Sequence, residues 1–192
     1  MSMVAIAVLV VCLIITVYGI TLYNGLVELK HAVAKHLANI DVLLRQRHDE
    51  LPKLVETCKQ YMGYEQATLQ KVIRARQQVA TAQTSGNISE LGKAETGLRR
   101  ELGQLFALAE NYPELKANDT FQHLQQRISG LENAIADRRE TYNEAVNNNN
   151  VRIEQFPDLI LARLFDFKPF QMLEFTESAT ADVNVGSLFA NS

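Results

Sequence analysis

No aspartate, glutamate, lysine or arginine occurs before Glu28 in this chain of 192 residues. Cysteine is scarce as well: Cys12 and Cys58 are the only two, too few for a disulfide-stapled secreted scaffold. Of four prolines, none falls between Tyr23 and Arg47, so nothing there forces a helix to stop. A basic excess is also missing. With 19 Lys and Arg against 22 Asp and Glu, the net charge of -3 offers no electrostatic footprint for nucleic acid. Alternating apolar and polar runs bounded by turns are absent before the C-terminal tail, which argues against a sheet.

What the charge-free region does contain is Val4 to Tyr23, VAIAVLVVCLIITVYGITLY, with only Thr16, Gly19 and Thr21 outside the hydrophobic set. As a helix it measures about 30 Å, the thickness of a bilayer's hydrocarbon core. Met1-Ser2-Met3 carries no positive charge and no small-x-small site follows the run, so an uncleaved single-pass anchor is expected rather than a signal peptide. Lys30 and Lys35 flank only its C-terminal side, which predicts that the body of the protein is cytoplasmic.

Beyond the anchor, apolar residues recur in steps of three, four and seven: Leu26, Val33, Leu37, Ile40 and Leu44, then Leu51, Leu54, Cys58 and Tyr61. The helical pattern reaches about Ala82. It lapses at Arg47 and His48, and with Pro52 close by a kink or restart capped by Asp49 is predicted there. QTSGN is the first strong turn signal. Asn87 and Glu90 then have capping-box spacing for a helix to about Asn111, and Tyr112-Pro113 breaks it. Asn118 and Asp119 open a last long helix to Glu154, with Phe121, Leu124, Ile128, Leu131, Ile135, Tyr142 and Val146 on a near-heptad stripe. Arg138 stands on that seam, which predicts solvent or a carboxylate beside it. The expected fold class is all-α: one transmembrane helix (residues 1–23), an elongated antiparallel bundle of long helices (24–170) and a loosely ordered tail (171–192).

Several motifs resemble the LemA family of bacterial single-anchor helical proteins. They are Tyr23-Asn24-x-Leu26, Ile40-Asp41-Val42, Arg47-His48-Asp49-x-Leu51-Pro52-x-Leu54-Val55-Glu56, Ala75-Arg76, Glu110-x-Tyr112-Pro113-x-Leu115-Lys116-Ala117-Asn118, Glu132-Asn133-x-Ile135, Arg139, Tyr142-Asn143 and Phe156-Pro157. They run in order from Tyr23 to about Phe175. Two positions depart from the family pattern: Leu37 stands where Trp is frequent, and Asn149-Asn150 where a second Tyr-Asn pair is frequent. The resemblance implies an all-helical cytoplasmic or surface domain on one membrane helix, expected here in the bacterial inner membrane, with no agreed catalytic site.

Candidate sites divide into polar and apolar ones. Glu28 and His31 share a helical face and form the one metal-like pair, but a di-metal bundle needs two such motifs and further carboxylates. Arg47, His48 and Asp49, with Glu50, Pro52 and Glu56, gather acid, base and cation, yet no nucleophile or glycine-rich loop completes an active site. A structural role is expected, with Arg47 pairing a carboxylate on another helix. Glu110, Arg139 and Asn143 are expected to form a similar polar cluster that fixes register. Leu159, Ile160, Leu161, Leu164, Phe165 and Phe167, in a short helix apolar almost all round, are expected either to close the bundle or to lie at the membrane interface. No catalytic residue, cofactor, metal or nucleic-acid partner is expected. The function read from these features is a non-enzymatic, membrane-anchored, homo-oligomeric scaffold that organises or shapes membrane, its anchor and an exposed heptad stripe permitting lateral association. The alternatives are a metal-binding protein or enzyme using Glu28 and His31, and a tether recruiting an envelope-stress factor or a protease.

Overall fold

The computed structural model describes residues 2–175. Six helices follow one another: α1 (Met3–Tyr61), α2 (Gln66–Ser85), α3 (Ile88–Ala109), α4 (Pro113–Lys116), α5 (Asp119–Glu154) and α6 (Asp158–Leu164). Among the described residues there is no strand, and the all-α expectation holds. The chain divides into two compact units, one of residues 2–40 and 137–172, the other of residues 41–136 and 173–175.

The restart predicted at Asp49 and Pro52 is absent, because α1 continues through both. Its core stripe does not lapse there: Ile40, Leu44, Arg47, Leu51, Leu54 and Cys58 are all buried at alternating steps of four and three, so Arg47 occupies a core position. The break comes instead at residues 62–65, where Met62-Gly63-Tyr64-Glu65 leaves the helix and α2 begins. The single long arm expected from Tyr23 to Ala82 is therefore two helices.

In the second unit α2 packs on α3. Their junction needs Gly86, whose φ of 68° is left-handed, and Asn87 then caps α3 by accepting from the Glu90 amide at 3.2 Å. Asn118 caps α5 in the same way, accepting from Phe121 N at 3.0 Å, while its amide donates to the Tyr61 hydroxyl at 3.1 Å. The Tyr112 hydroxyl donates to Glu65 at 3.3 Å, and Leu115 of α4 is buried.

The first unit holds the apolar N-terminal part of α1, the C-terminal part of α5, α6 and the segment after it. No part of the apolar window in α1 is buried. Its two threonine hydroxyls are internally satisfied, Thr16 donating to the Cys12 carbonyl at 2.8 Å and Thr21 to the Tyr18 carbonyl at 2.7 Å, as suits a lipid-exposed helix. Leu26, Ile153 and Ala162 form a core with Leu161 and Phe167 against it. Asn150 clamps the chain after α6 through both amide atoms, donating to the Phe170 carbonyl and accepting from its N–H, each at 2.9 Å. The Tyr142 hydroxyl donates to the Gln171 carbonyl at 2.8 Å. Gln171 is thus fastened at the start of what the sequence suggests is a loose tail, and Leu173, counted with the second unit, is buried. The rest of that predicted tail, from residue 176, lies outside the described residues.

The α5 stripe packs as core positions, and it is not the exposed stripe that lateral association would need. Phe121, Leu124, Ile128, Ile135, Tyr142 and Val146 are buried and Leu131 is half-buried, so the chain itself uses the seam and a second copy does not find it exposed. Arg138 reaches solvent.

Candidate functional site

In the second unit, three residues within one turn of α1, Arg47, His48 and Glu50, reach every other long helix. Arg47, with its side chain 3 % exposed, pairs through Nη2 with Glu95 of α3 and reaches Glu132 of α5 through Nη1 at 3.4 Å. Glu50 pairs with Arg127 of α5, its carboxylate 3.0 Å from Nε, and accepts from Lys53 at 3.2 Å. Toward α2 the contact is made by the His48 main chain. Pro52 has no N–H, so the His48 carbonyl four residues before it loses its helical donor. Arg76 Nε of α2 donates to that carbonyl at 2.9 Å.

This exchange predicts a coupled pair of mutations. Arg76→Leu should cost about 1–3 kcal/mol by stranding a partly buried carbonyl. In a Pro52→Ala background, where a backbone N–H returns to His48, the same change should cost clearly less. Denaturant titration of the four proteins gives the coupling, and equal costs in the two backgrounds would show that Arg76 acts elsewhere.

The electrostatics follow from burial. The Glu95 carboxyl is pushed above its ordinary range by desolvation, which the Arg47 charge and hydrogen bond only partly oppose. Glu132 is raised for the same reason, with Arg47 and Arg99 opposing and Glu95 adding to the rise. The His48 imidazole is lowered by burial and then by the Arg76 cation, against a smaller pull from Asp49. Cys58 is pushed up to about 12 by burial, so it is a core thiol and not a nucleophile.

The remaining sequence candidates are dispersed. Asp49 is exposed on an uninterrupted helix and caps nothing. Pro52 and Glu56 line a shallow apolar cavity of about 380 Å³ with Leu51, Val55, Ile73 and Arg76. Glu110 pairs with Lys116 on the surface of the second unit. Arg139 and Asn143 belong to the α5 stretch of the first unit, and each has a partner. Glu28 and His31 are exposed, and among the described residues no three His, Cys, Asp or Glu side chains come together as metal ligands.

The apolar candidates share two faces of one element in the first unit. Leu161 and Phe167 turn inward onto the Leu26 core, with Leu159 half-buried. Ile160, Leu164 and Phe165 turn outward. Tyr23, the last residue of the apolar run, meets Phe165 and Phe167 edge to face, with ring centroids 4.8 and 5.9 Å apart.

Sequence reasoning anticipated that Arg47 would find a carboxylate on another helix, and it missed Glu95. The signal was present: Glu95 interrupts Leu91, Leu98 and Leu102 at helical spacing, a charge on a core stripe.

A bare apolar span leading into helices joined by a buried ion-pair network defines a membrane-associated, all-helical protein without an assembled catalytic constellation among the described residues. The chain belongs to the LemA family, whose family model matches residues 36–186. It is similar to two magnetosome proteins of Paramagnetospirillum magneticum, MamQ 1 and MamQ 2. Each is 24 % identical over 190 residues, an alignment covering 87 % of this chain and 70 % of theirs. A magnetosome protein MamQ of Magnetospirillum gryphiswaldense is 25 % identical over 169 residues, covering 76 % of this chain and 62 % of its own.

Proposed function

We propose that this protein is a non-enzymatic scaffold of the bacterial inner membrane, anchored by residues 4–23, that presents its helices in the cytoplasm for assembly with further copies or a partner. One observation carries the reading: a single unbroken helix of 59 residues holds the bare apolar span at one end and the buried Arg47 near the other. The helix that carries the span thus also supplies the residue on which α3 and α5 converge in the second unit. Similarity to proteins named for a cellular structure, and not for a reaction, supports a structural role. Because the α5 stripe is used internally, contacts between copies fall to the anchors and the outer helix faces.

Amine cross-linking in intact cells tests both parts. Lys53, Lys59, Lys71, Lys93 and Lys116 are exposed. A membrane-permeant reagent should give ladders above the 21.6 kDa monomer, and an impermeant reagent should give none. Monomer under both reagents would overturn assembly, and ladders with the impermeant one would overturn the cytoplasmic placement.

A further inference from the structure

We propose that the segment around α6 is a second membrane contact, docking its outer apolar face on the phospholipid leaflet at the point where α1 leaves the bilayer. The inference rests on the reading of residues 4–23 as a membrane span.

The exposed face is large for so short an element: Phe156 is 79 % exposed, Ile160 57 %, Leu164 71 % and Phe165 53 %. Ile160 and Leu164 lie four apart on one side of α6, and the opposite side carries Asp158 and Ala162, both buried. Apolar groups thus stand on two sides of the element, and among the described residues packing covers one of them, apart from the contact of Phe165 with Tyr23. Patches of this kind mark a contact surface.

Position says which surface. Tyr23 closes the apolar span and touches Phe165; Leu26, three residues on, shares a core with Ala162. Three residues of helix are about 4.5 Å, less than the roughly 5–7 Å of headgroup region on each side of the hydrocarbon core. α6 therefore lies at headgroup depth, and its aromatic neighbours Tyr23, Phe165 and Phe167 are the residue types that populate that layer.

The polar groups beside it fit the same surface. Asp158 points inward and is neutralised by Arg152 at 2.8 Å, and Asp166 is paired with Lys168 at 3.2 Å. Arg163, in the last turn of α6, points to solvent. Lys30, His31 and Lys168 line a cavity of about 600 Å³ with Tyr23 and Phe165, open at the level of lipid phosphates. Lys30, His31 and Arg163 beside an apolar stripe, with Asp158 and Asp166 each paired, fit an interfacial element on a phospholipid leaflet, although Glu28 and Glu154 are also exposed nearby.

Because the chain contains no tryptophan, single tryptophans report without background. The full chain, carrying Leu164→Trp, Ile160→Trp, Val10→Trp or Tyr64→Trp, is reconstituted into phosphatidylethanolamine–phosphatidylglycerol vesicles with brominated acyl chains. Val10→Trp, within the span, should be strongly quenched, and Tyr64→Trp, at a fully exposed turn, unquenched. Leu164→Trp and Ile160→Trp should be quenched to roughly half the extent of Val10→Trp, as rings 5–10 Å into the headgroup boundary would be. If both α6 probes match Tyr64→Trp while Val10→Trp is quenched, the second contact is wrong and the anchor stands. An unquenched Val10→Trp overturns the anchor, and the proposal falls with it. A blue shift of the α6 probes that grows with protein density, without bromine quenching, would assign the stripe to a second copy and overturn the lipid contact.

Discussion

Replacing Arg47 with alanine is expected to destabilise the second unit by about 3–5 kcal/mol, the usual cost of removing one partner from a buried ion pair. The loss has little to do with attraction forgone. Glu95 and the Arg47 side chain are each 3 % exposed, and without the guanidinium Glu95 remains in a dry interior with nothing to offset its desolvation, while Glu132, 16 % exposed, keeps only Arg99. Arg99 cannot take over, since it is 58 % exposed and stands 3.9 Å from Glu132. The same logic predicts the rescue. Arg47→Met combined with Glu95→Leu and Glu132→Gln removes all three charges and should recover most of the loss, because apolar replacements of buried ion pairs are frequently neutral or better. Denaturant unfolding of the three proteins decides the matter; an Arg47→Ala protein within about 1 kcal/mol of the parent would mean that the network does not hold the helices.

The network also sets how stability depends on pH. Glu95 and Glu132 are held above the ordinary glutamate range by burial, against the pull of Arg47. Between that ordinary range and their raised values the folded protein keeps protons that the unfolded chain has released. Stability from these two groups therefore falls as pH rises through the window, and it is greatest at and below the unfolded glutamate range. Acidifying from neutrality should stabilise the parent relative to a Glu95→Gln, Glu132→Gln double variant, in which the slope is lost. Removing Arg47 deletes the influence that lowers both groups, so the Arg47→Ala penalty should shrink as pH falls.

The fold class, both asparagine caps and the apolar span could be read from residues because each rests on local pattern or spacing. The turn at residues 62–65 could not, for a physical reason: Met62 and Leu69 are both buried and seven apart, so the apolar phase of α1 passes into α2 as if no turn intervened. Pro52 misled in the other direction. A proline that breaks an isolated helix is tolerated here by Arg76, a donor from α2 that no reading of nearby residues supplies. Arg47 looked like a gap in the stripe because charge reads as surface, and its burial depends on Glu95 and Glu132, 48 and 85 positions away. The two faces of α6 are legible as an apolar run, but a segment apolar almost all round carries no local mark of which face the Leu26 core covers.

Gly92 is a case where local and tertiary preferences oppose each other, and a substitution there should change sign with context. It is buried in α3, in ordinary helical conformation, so backbone geometry does not demand glycine. Alanine would favour the helix by about 1 kcal/mol. A Cβ at this position would, however, overlap the Glu174 carbonyl and lie 3.6 Å from the Leu173 side chain, which is 1 % exposed. The obstacle is backbone, so the segment must move and carry Leu173 outward. Losing that burial costs about 1.5–3 kcal/mol, more than the helix gains, and Gly92→Ala should be destabilising in the parent. Leu173→Ala alone should cost about 2–5 kcal/mol by the usual cavity argument. Once Leu173 is truncated there is little packing left to lose when the segment shifts, and the helical preference for alanine is what remains. In that background Gly92→Ala should therefore be neutral or stabilising. Thermal or denaturant unfolding of the four proteins measures the sign directly, and equal destabilisation in both backgrounds would mean that the glycine serves something other than the passage of residues 173–174 across α3.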